Sequence, residues 1–214
     1  MQHSARRNLW LSSLFLVFMF SCSSKNIVHY TTVDCIDRAY WQLFDGKHTQ
    51  YQYKTEVTIY GKYFSGILFL KQVNDTTCRA AFTTVPGAKF FELLITPQKD
   101  STIYTIPQMS NAVVVAAIAK DIRTFALLNK FTTAPVCIKQ ENEAGEIVER
   151  KTKQEVYRYC YKINYSMLNQ IQVLSDQLKT KTIFDLAYAP GAVIPNDVLI
   201  SHLNFKLKIH LTQL

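Results

Sequence analysis

The polar and apolar positions from Tyr51 to Ile59 alternate without a break. Tyr51, Tyr53, Thr55, Val57 and Ile59 fall on one side; Gln50, Gln52, Lys54, Glu56 and Thr58 fall on the other. A period of two predicts a strand with one covered face. Gly61 permits a bend, and Ile67-Leu68-Phe69-Leu70 then reads as a strand apolar on both faces. Asn74-Asp75, Pro86-Gly87 and Lys99-Asp100 punctuate the next stretches, so Cys78–Val85, Phe90–Ile95 and Ile103–Ile106 follow as strands of a meander.

The period changes after Pro107. From Asn111 to Asn129 the pattern is helical, with Val114, Ile118, Ile122, Phe125 and Leu128 in one stripe and Lys120, Asp121, Arg123 and Thr124 as its polar side. Its first half, Ala112–Ala119, is apolar nearly all round and predicts burial on more than one side. Lys120-Asp121 interrupt the run too early for a membrane span. Upstream, Val33–Phe44 reads as a shorter helix, with Ile36, Tyr40, Leu43 and Phe44 on one side and Asp45-Gly46 as its stop.

Downstream, Pro135–Lys139 and Glu155–Tyr165 predict a second hairpin, with the charged segment 140–154 projecting into solvent between them. Tyr157, Tyr159 and Tyr161 alternate with Arg158, Cys160 and Lys162 and read as cross-strand packing; a stacking platform for a base or sugar is the alternative. Leu168–Leu178 fits strand or loop, and Thr180–Tyr188 fits a strand. After Pro190-Gly191 and Pro195-Asn196 come Val198–Ile200. The alternating run Leu203, Phe205, Leu207, Ile209, Leu211 then predicts one continuous closing strand.

The first 31 residues differ in kind. Arg6-Arg7 precede an apolar stretch, Leu9–Phe20, that is too short to span a bilayer and reads as a secretory leader. It ends at Ser21-Cys22-Ser23, which resembles a bacterial lipoprotein signal: small residues flank a thiol that accepts diacylglycerol and becomes the mature N-terminus. Acyl chains at Cys22 then anchor the protein without a spanning helix. No Asp follows Cys22 and no acidic run follows it, which points to the outer membrane, facing the periplasm. Residues 1–21 are thus the leader, 22–31 a lipidated tether, and 32–214 a single domain.

Composition narrows the function classes. With 214 residues, 48% hydrophobic and 19% charged, the chain suits one globular core. The net charge is +8, of which Arg6 and Arg7 account for two, leaving +6 after leader removal. No dense Lys/Arg cluster with interleaved aromatics is present, so nucleic acid is not an expected partner. Four cysteines besides Cys22 remain, namely Cys35, Cys78, Cys137 and Cys160, none in a metal-ligand spacing. They read either as buried small hydrophobes or with Cys137 and Cys160 bridged across the second hairpin. No nucleophile elbow, metalloprotease helix, phosphate loop or dinucleotide fingerprint occurs. His202 and His210 would stand about 26 Å apart on a continuous strand and could share no metal. Asp34, Asp37 and Asp121 read as solvated surface charges. No catalytic residue, metal site or cofactor is expected, and the chain reads as a non-enzyme.

The order of elements, with Phe64-Ser65-Gly66-Ile67-Leu68, Arg79-Ala80-Ala81-Phe82-Thr83, Gly87-Ala88-Lys89-Phe90-Phe91, Asp121-Ile122-Arg123 and Ile194-Pro195, resembles the LolA/LolB class of periplasmic lipoprotein carriers and receptors. That resemblance implies an α+β fold: an incomplete antiparallel β-barrel, a curved meander with helices closing its open side over an apolar cavity for acyl chains. It implies a lid along Val113–Ile122, with Val114, Ile118 and Ile122 facing the ligand and Ile59, Ile67, Phe69, Phe82 and Phe91 in the wall. The implied partners are the membrane, through the Cys22 anchor, and acyl chains or lipoproteins in transit. A scaffold for an envelope protein assembly is the alternative.

Overall fold

A computed structural model of the chain describes residues 30–33, 43, 49–96, 98–126, 136–140, 145–162 and 167–214. Five strands come first among the meander: β2 (Gln50–Ile59), β3 (Lys62–Asn74), β4 (Thr77–Thr83), β5 (Lys89–Ile95) and β6 (Asp100–Thr105), each antiparallel to the next. A 3-10 turn at Pro107–Met109 leads into α1 (Ala112–Phe125), where the Asn111 side chain accepts a hydrogen bond from the Val113 N–H at 2.9 Å. That cap satisfies one of the amides that a helix start leaves without a partner.

A second meander follows: β7 (Val136–Gln140), β8 (Gly145–Lys151), β9 (Glu155–Lys162), β10 (Met167–Ser175), β11 (Thr180–Ala187), β12 (Asp197–His202) and β13 (Leu207–Gln213). β13 pairs with β2, and β1 (Tyr30–Val33) pairs with β7. The described residues thus form one 13-stranded sheet in the order β1-β7-β8-β9-β10-β11-β12-β13-β2-β3-β4-β5-β6, with β1 and β6 as its two edges. The sheet does not close on itself. α1 follows the β6 edge and packs Val114, Ile118, Ile122 and Phe125 into the core on the inner face of the sheet, and the next described strand, β7, lies beside the other edge.

Burial follows the strand period. On β2 every odd residue from Tyr51 to Ile59 is buried, and on β3 the inner face holds Gly66, Leu68 and Leu70. Phe82, Phe91, Leu93, Ile171, Phe184, Ile200 and Ile209 continue the same core from the flanking strands, with α1 contributing Val114, Ile118, Ile122 and Phe125. Tyr157, Tyr159 and Tyr161 are all buried in it, as cross-strand packing requires.

Several sequence expectations change. Tyr30 and Thr31, expected in the tether, and Val33, expected to begin a helix, lie in β1. The rest of that helix, the leader and Cys22 lie outside the described residues, except Leu43, which is buried in the core. The charged segment 140–154 does not simply project: Gly145–Lys151 is β8, inserted between β7 and β9. Cys137 opposes Val148, and Cys160 opposes Ile147, so a full strand separates the two. Two strand spacings make roughly 10 Å, beyond the Cα separation a disulfide spans, so of the two readings of these cysteines the bridged one is ruled out. The run 203–211 is not one strand. Bends at 203–206 divide β12 from β13, because Leu207 must pair with Ile59 while Val198 pairs with Leu211. Leu168–Leu178 resolves as strand β10 over most of its length.

At Gly66 the backbones of β3 and β4 approach too closely for a side chain. A Cβ there would stand 1.9 Å from the backbone carbonyl oxygen of Thr83, which a flexible side chain cannot relieve. Gly66→Ala is therefore expected to push β4 from β3 and lower the unfolding free energy by about 2–3 kcal/mol, read by urea denaturation; an unchanged midpoint would refute the close approach.

Candidate functional site

The inner face of the sheet and the buried side of α1 meet around a small void. Val57 of β2, Leu68 of β3, Phe91 of β5, Ile200 of β12, and Ile209 and Leu211 of β13 supply the sheet wall. Ile118, Asp121, Ile122 and Phe125 supply the helix side, and Thr55 completes the lining. The void measures about 20 Å³, room for one water-sized body. A second gap, between Phe91, Leu93, Thr105, Met109, Val115 and Ile118, has no space for even that. Ligand pockets for drug-sized molecules run to about 300–1,000 Å³. The cavity expected beneath the helix is thus nearly filled, as interiors packed close to crystal density are.

The wall residues implied by the resemblance divide by strand period. Phe91, Ile118 and Ile122 border the void. Ile59, Phe82 and Val114 lie in the same core without bordering it. Ile67 and Phe69 alternate with the inward-facing Gly66, Leu68 and Leu70, and so stand half-buried on the outer face of β3. Their apolar character belongs to the outside of the sheet.

Asp121 corrects the surface reading. It is buried, and its carboxylate oxygen Oδ2 lies 2.7 Å from His202 Nε2 on β12. His202 Nδ1 in turn lies 3.3 Å from Thr182 Oγ1 on β11. Both ring nitrogens are thereby engaged in a line that ties the helix to two strands. Burial pushes the Asp121 carboxyl above its ordinary value, and the hydrogen bond and charge of His202 act in the opposite sense. His202 also stacks against Phe205, with ring centroids 4.5 Å apart. The sequence offered no signal for this line, since the partners are 81 residues apart. His210 pairs separately with Asp197 at 2.8 Å. No group of three or more metal-binding side chains exists among the described residues.

Two further polar ties hold the same end of α1. Lys120 Nζ bonds Glu155 of β9 at 2.5 Å, with Lys181 of β11 on the same carboxyl oxygen at 3.3 Å. Burial alone would raise Glu155; the hydrogen bonds and charges of Lys120 and Lys181 outweigh it and hold the carboxyl below its usual value. Arg123 Nε donates to the Thr96 carbonyl at 2.9 Å, and its guanidinium pairs with Asp100. Tyr53 meets Phe125 edge-on at 5.8 Å, and the Tyr53 hydroxyl is buried with no hydrogen-bond partner among the described residues. Burial drives that phenol above its ordinary range. The N-terminal half of the helix, by contrast, presents Ala112, Val113 and Ala116 to solvent and buries Val114, Ile118 and Ala119. One end of α1 is pinned by ions and the other by apolar contact.

No family model matches the chain, and no curated protein sequence matches it. Solved structures do. A LolA superfamily protein from Nitrosomonas europaea aligns with a TM-score of 0.50 at 9% identity, over 77% of this chain and 83% of that one. An outer membrane lipoprotein-sorting protein domain from Vibrio parahaemolyticus gives 0.46 at 8% identity, over 77% and 82%. A DUF1329 family protein from Desulfovibrio piger gives 0.47 at 7%, over 78% and 84%. The likeness to the Nitrosomonas europaea protein gives the chain a LolA-like fold, built here as an open antiparallel sheet with α1 packed on its inner face.

His202→Ala strips Asp121 of its partner in the core and is expected to cost about 3–5 kcal/mol of stability, measured by chemical denaturation at neutral pH. The pH dependence isolates Asp121. A carboxyl raised by folding contributes stability that is complete below its unfolded value near 3.8 and is lost as pH rises through the raised folded value. Subtracting the stability–pH curve of Asp121→Asn from that of the parent should leave a difference falling with pH above about 4. A difference curve rising with pH would contradict the direction.

Proposed function

We propose that this is a non-catalytic, lipid-anchored envelope protein, held at the outer membrane and facing the periplasm by acyl groups on Cys22, that binds an acyl chain between α1 and the inner face of its sheet. The observation carrying this reading is the lining beneath α1. Apart from Thr55 and Asp121 it is aliphatic and aromatic, and Asp121 is already committed to His202. An acyl chain needs a dry groove with few polar groups, and this interface supplies one once the helix shifts. The distribution of ties supports such a shift: ionic and hydrogen-bonded contacts gather at residues 120–123, leaving the first two turns held by apolar packing alone, which an acyl chain can replace in kind. The filled gap at Val115 lies on the inner side of that half, and the void of about 20 Å³ follows it at Ile118, Ile122 and Phe125. Bound cargo could be a lipid or the acylated end of another lipoprotein, and the protein would then act in lipid or lipoprotein trafficking.

The smallness of the void favours a second reading, a scaffold in an envelope assembly. In that case α1 simply completes a filled core, and the β6 edge, with Ile103 and Tyr104 exposed, offers strand addition to a partner.

Native mass spectrometry after exposure to phospholipids separates the two. A lipid adduct is expected on the parent protein. Ile118→Ala, which enlarges the void at a stability cost of about 2–4 kcal/mol, is expected to increase adduct occupancy. Absence of any adduct from both proteins would sink the acyl-binding reading and leave the scaffold.

A further inference from the structure

Among the described residues only two that are not glycine have a positive φ: Tyr60, at 46°, and Leu178, at 59°. Left-handed backbone is costly for a residue with a large side chain, and such turns ordinarily carry Gly, Asn or Asp. Here both positions hold a large apolar or aromatic residue, and both side chains are more than half exposed, at 57% and 53%. Each thus combines a costly backbone conformation with an apolar surface left more than half in water.

The two turns belong to one rim. The Tyr60 N–H donates to the Lys206 carbonyl at 3.0 Å, joining the β2–β3 turn to the β12–β13 turn. The Leu203 N–H donates to the Lys181 carbonyl at 2.8 Å, joining that turn to the start of β11, just past the β10–β11 turn that carries Leu178. Leu203, 59% exposed, and Tyr63, 60% exposed, extend the apolar surface along the rim. Lys62, Lys179 and Lys206 stand exposed between these side chains, and none of the three is in an ion pair among the described residues. Asp176 is the one carboxylate in the three turns, residues 60–63, 176–179 and 203–206. None of these side chains borders the void beneath α1.

We propose that this rim is a docking surface for an anionic lipid bilayer, lying against it with Tyr60, Tyr63, Leu178 and Leu203 at headgroup depth and Lys62, Lys179 and Lys206 among the phosphates. Tyrosine sits well at a bilayer interface because its ring is apolar and its hydroxyl wet. Lysine snorkels there, with its stem on apolar surface and its ammonium at anionic headgroups. A protein–protein interface selects otherwise, since lysine is depleted from its core, whereas here each of the three turns carries an exposed lysine within three residues of its apolar side chain. The inference does not depend on acyl binding beneath α1, and it adds to the Cys22 anchor an orientation: the rim toward the membrane, the β3–β4 turn away from it.

The test uses the full chain reconstituted in phosphatidylethanolamine vesicles containing phosphatidylglycerol and brominated acyl chains, with a tryptophan introduced as a depth probe. Leu203→Trp is expected to lose about half its added fluorescence to the bromines, while Asp75→Trp, in the turn at the far end of β3, is expected to lose none. Replacing Lys62, Lys179 and Lys206 together by Glu, or phosphatidylglycerol by phosphatidylcholine, should abolish the quenching at residue 203. Tyr60→Gly with Leu178→Gly should move two properties in opposite directions: the thermal midpoint rises by about 2–4 °C as backbone strain is relieved, and quenching at residue 203 falls. Equal quenching at 203 and 75, quenching indifferent to the lysines, or none at either site leaves the rim to a protein partner and overturns the assignment.

Discussion

One apolar surface without a natural partner governs this fold. Thirteen strands in a single sheet would make a ribbon about 58 Å wide if flat, at about 4.8 Å per strand step. Its inner face is apolar along nearly every strand of both meanders. The one described helix has 14 residues, about 21 Å of length, and covers only a fraction of such a ribbon. Among the described residues α1 and Leu43 pack on that face, and a sheet that curls around them keeps more of it from water. The intrinsic twist of sheets favours this curvature, and β13–β2 pairing supplies the seam on which the halves are joined.

The position of α1 follows from chain connectivity as much as from its pattern. The first meander ends at one edge of the sheet, and the next described strand, β7, lies beside the other, while α1 packs its buried side on the inner face. The first half of α1, though apolar nearly all round, is buried on one side only, at Val114, Ile118 and Ala119, and leaves Ala112, Val113 and Ala116 in solvent. The second half carries ionisable groups into the same interior, and each finds a partner: Lys120 on β9, Asp121 on β12, and Arg123 at the β5–β6 turn. Buried charges persist only when paired. These pairs thereby fix the rotation of α1 about its axis and its position along the groove, which greasy contacts alone would leave loosely specified.

The same division gives the molecule its asymmetry. Its interior is packed nearly solid, with a void of about 20 Å³, so any guest must displace helix contacts rather than enter a standing cavity. Its exterior carries apolar groups that folding does not hide: Ile67 and Phe69 half-covered on the outer face of β3, and tyrosine and leucine tips along one rim. The strained backbone at Tyr60 and Leu178 marks that rim, since local strain persists where the surrounding structure or a function demands it.

The sequence by itself determined the elements whose periodicity is local. β2, β4, β5 and α1 were legible because alternation or helical spacing needs only neighbouring residues, and the turns at Gly61, Asn74-Asp75 and Pro86-Gly87 punctuated them. Tyr157, Tyr159 and Tyr161 declared a covered face for the same reason. What only the tertiary structure decided were matters of pairing between distant segments. β8 is hidden in a charged run because its residues face neighbours on both sides as well as solvent. The 203–206 bend interrupts an unbroken alternation because β12 and β13 must fold back on each other. Asp121, read as a solvated charge on the polar side of a helix, is buried because His202 waits for it across the sheet. The local pattern records which side chains seek cover, whereas which partner supplies it depends on contacts made far along the chain.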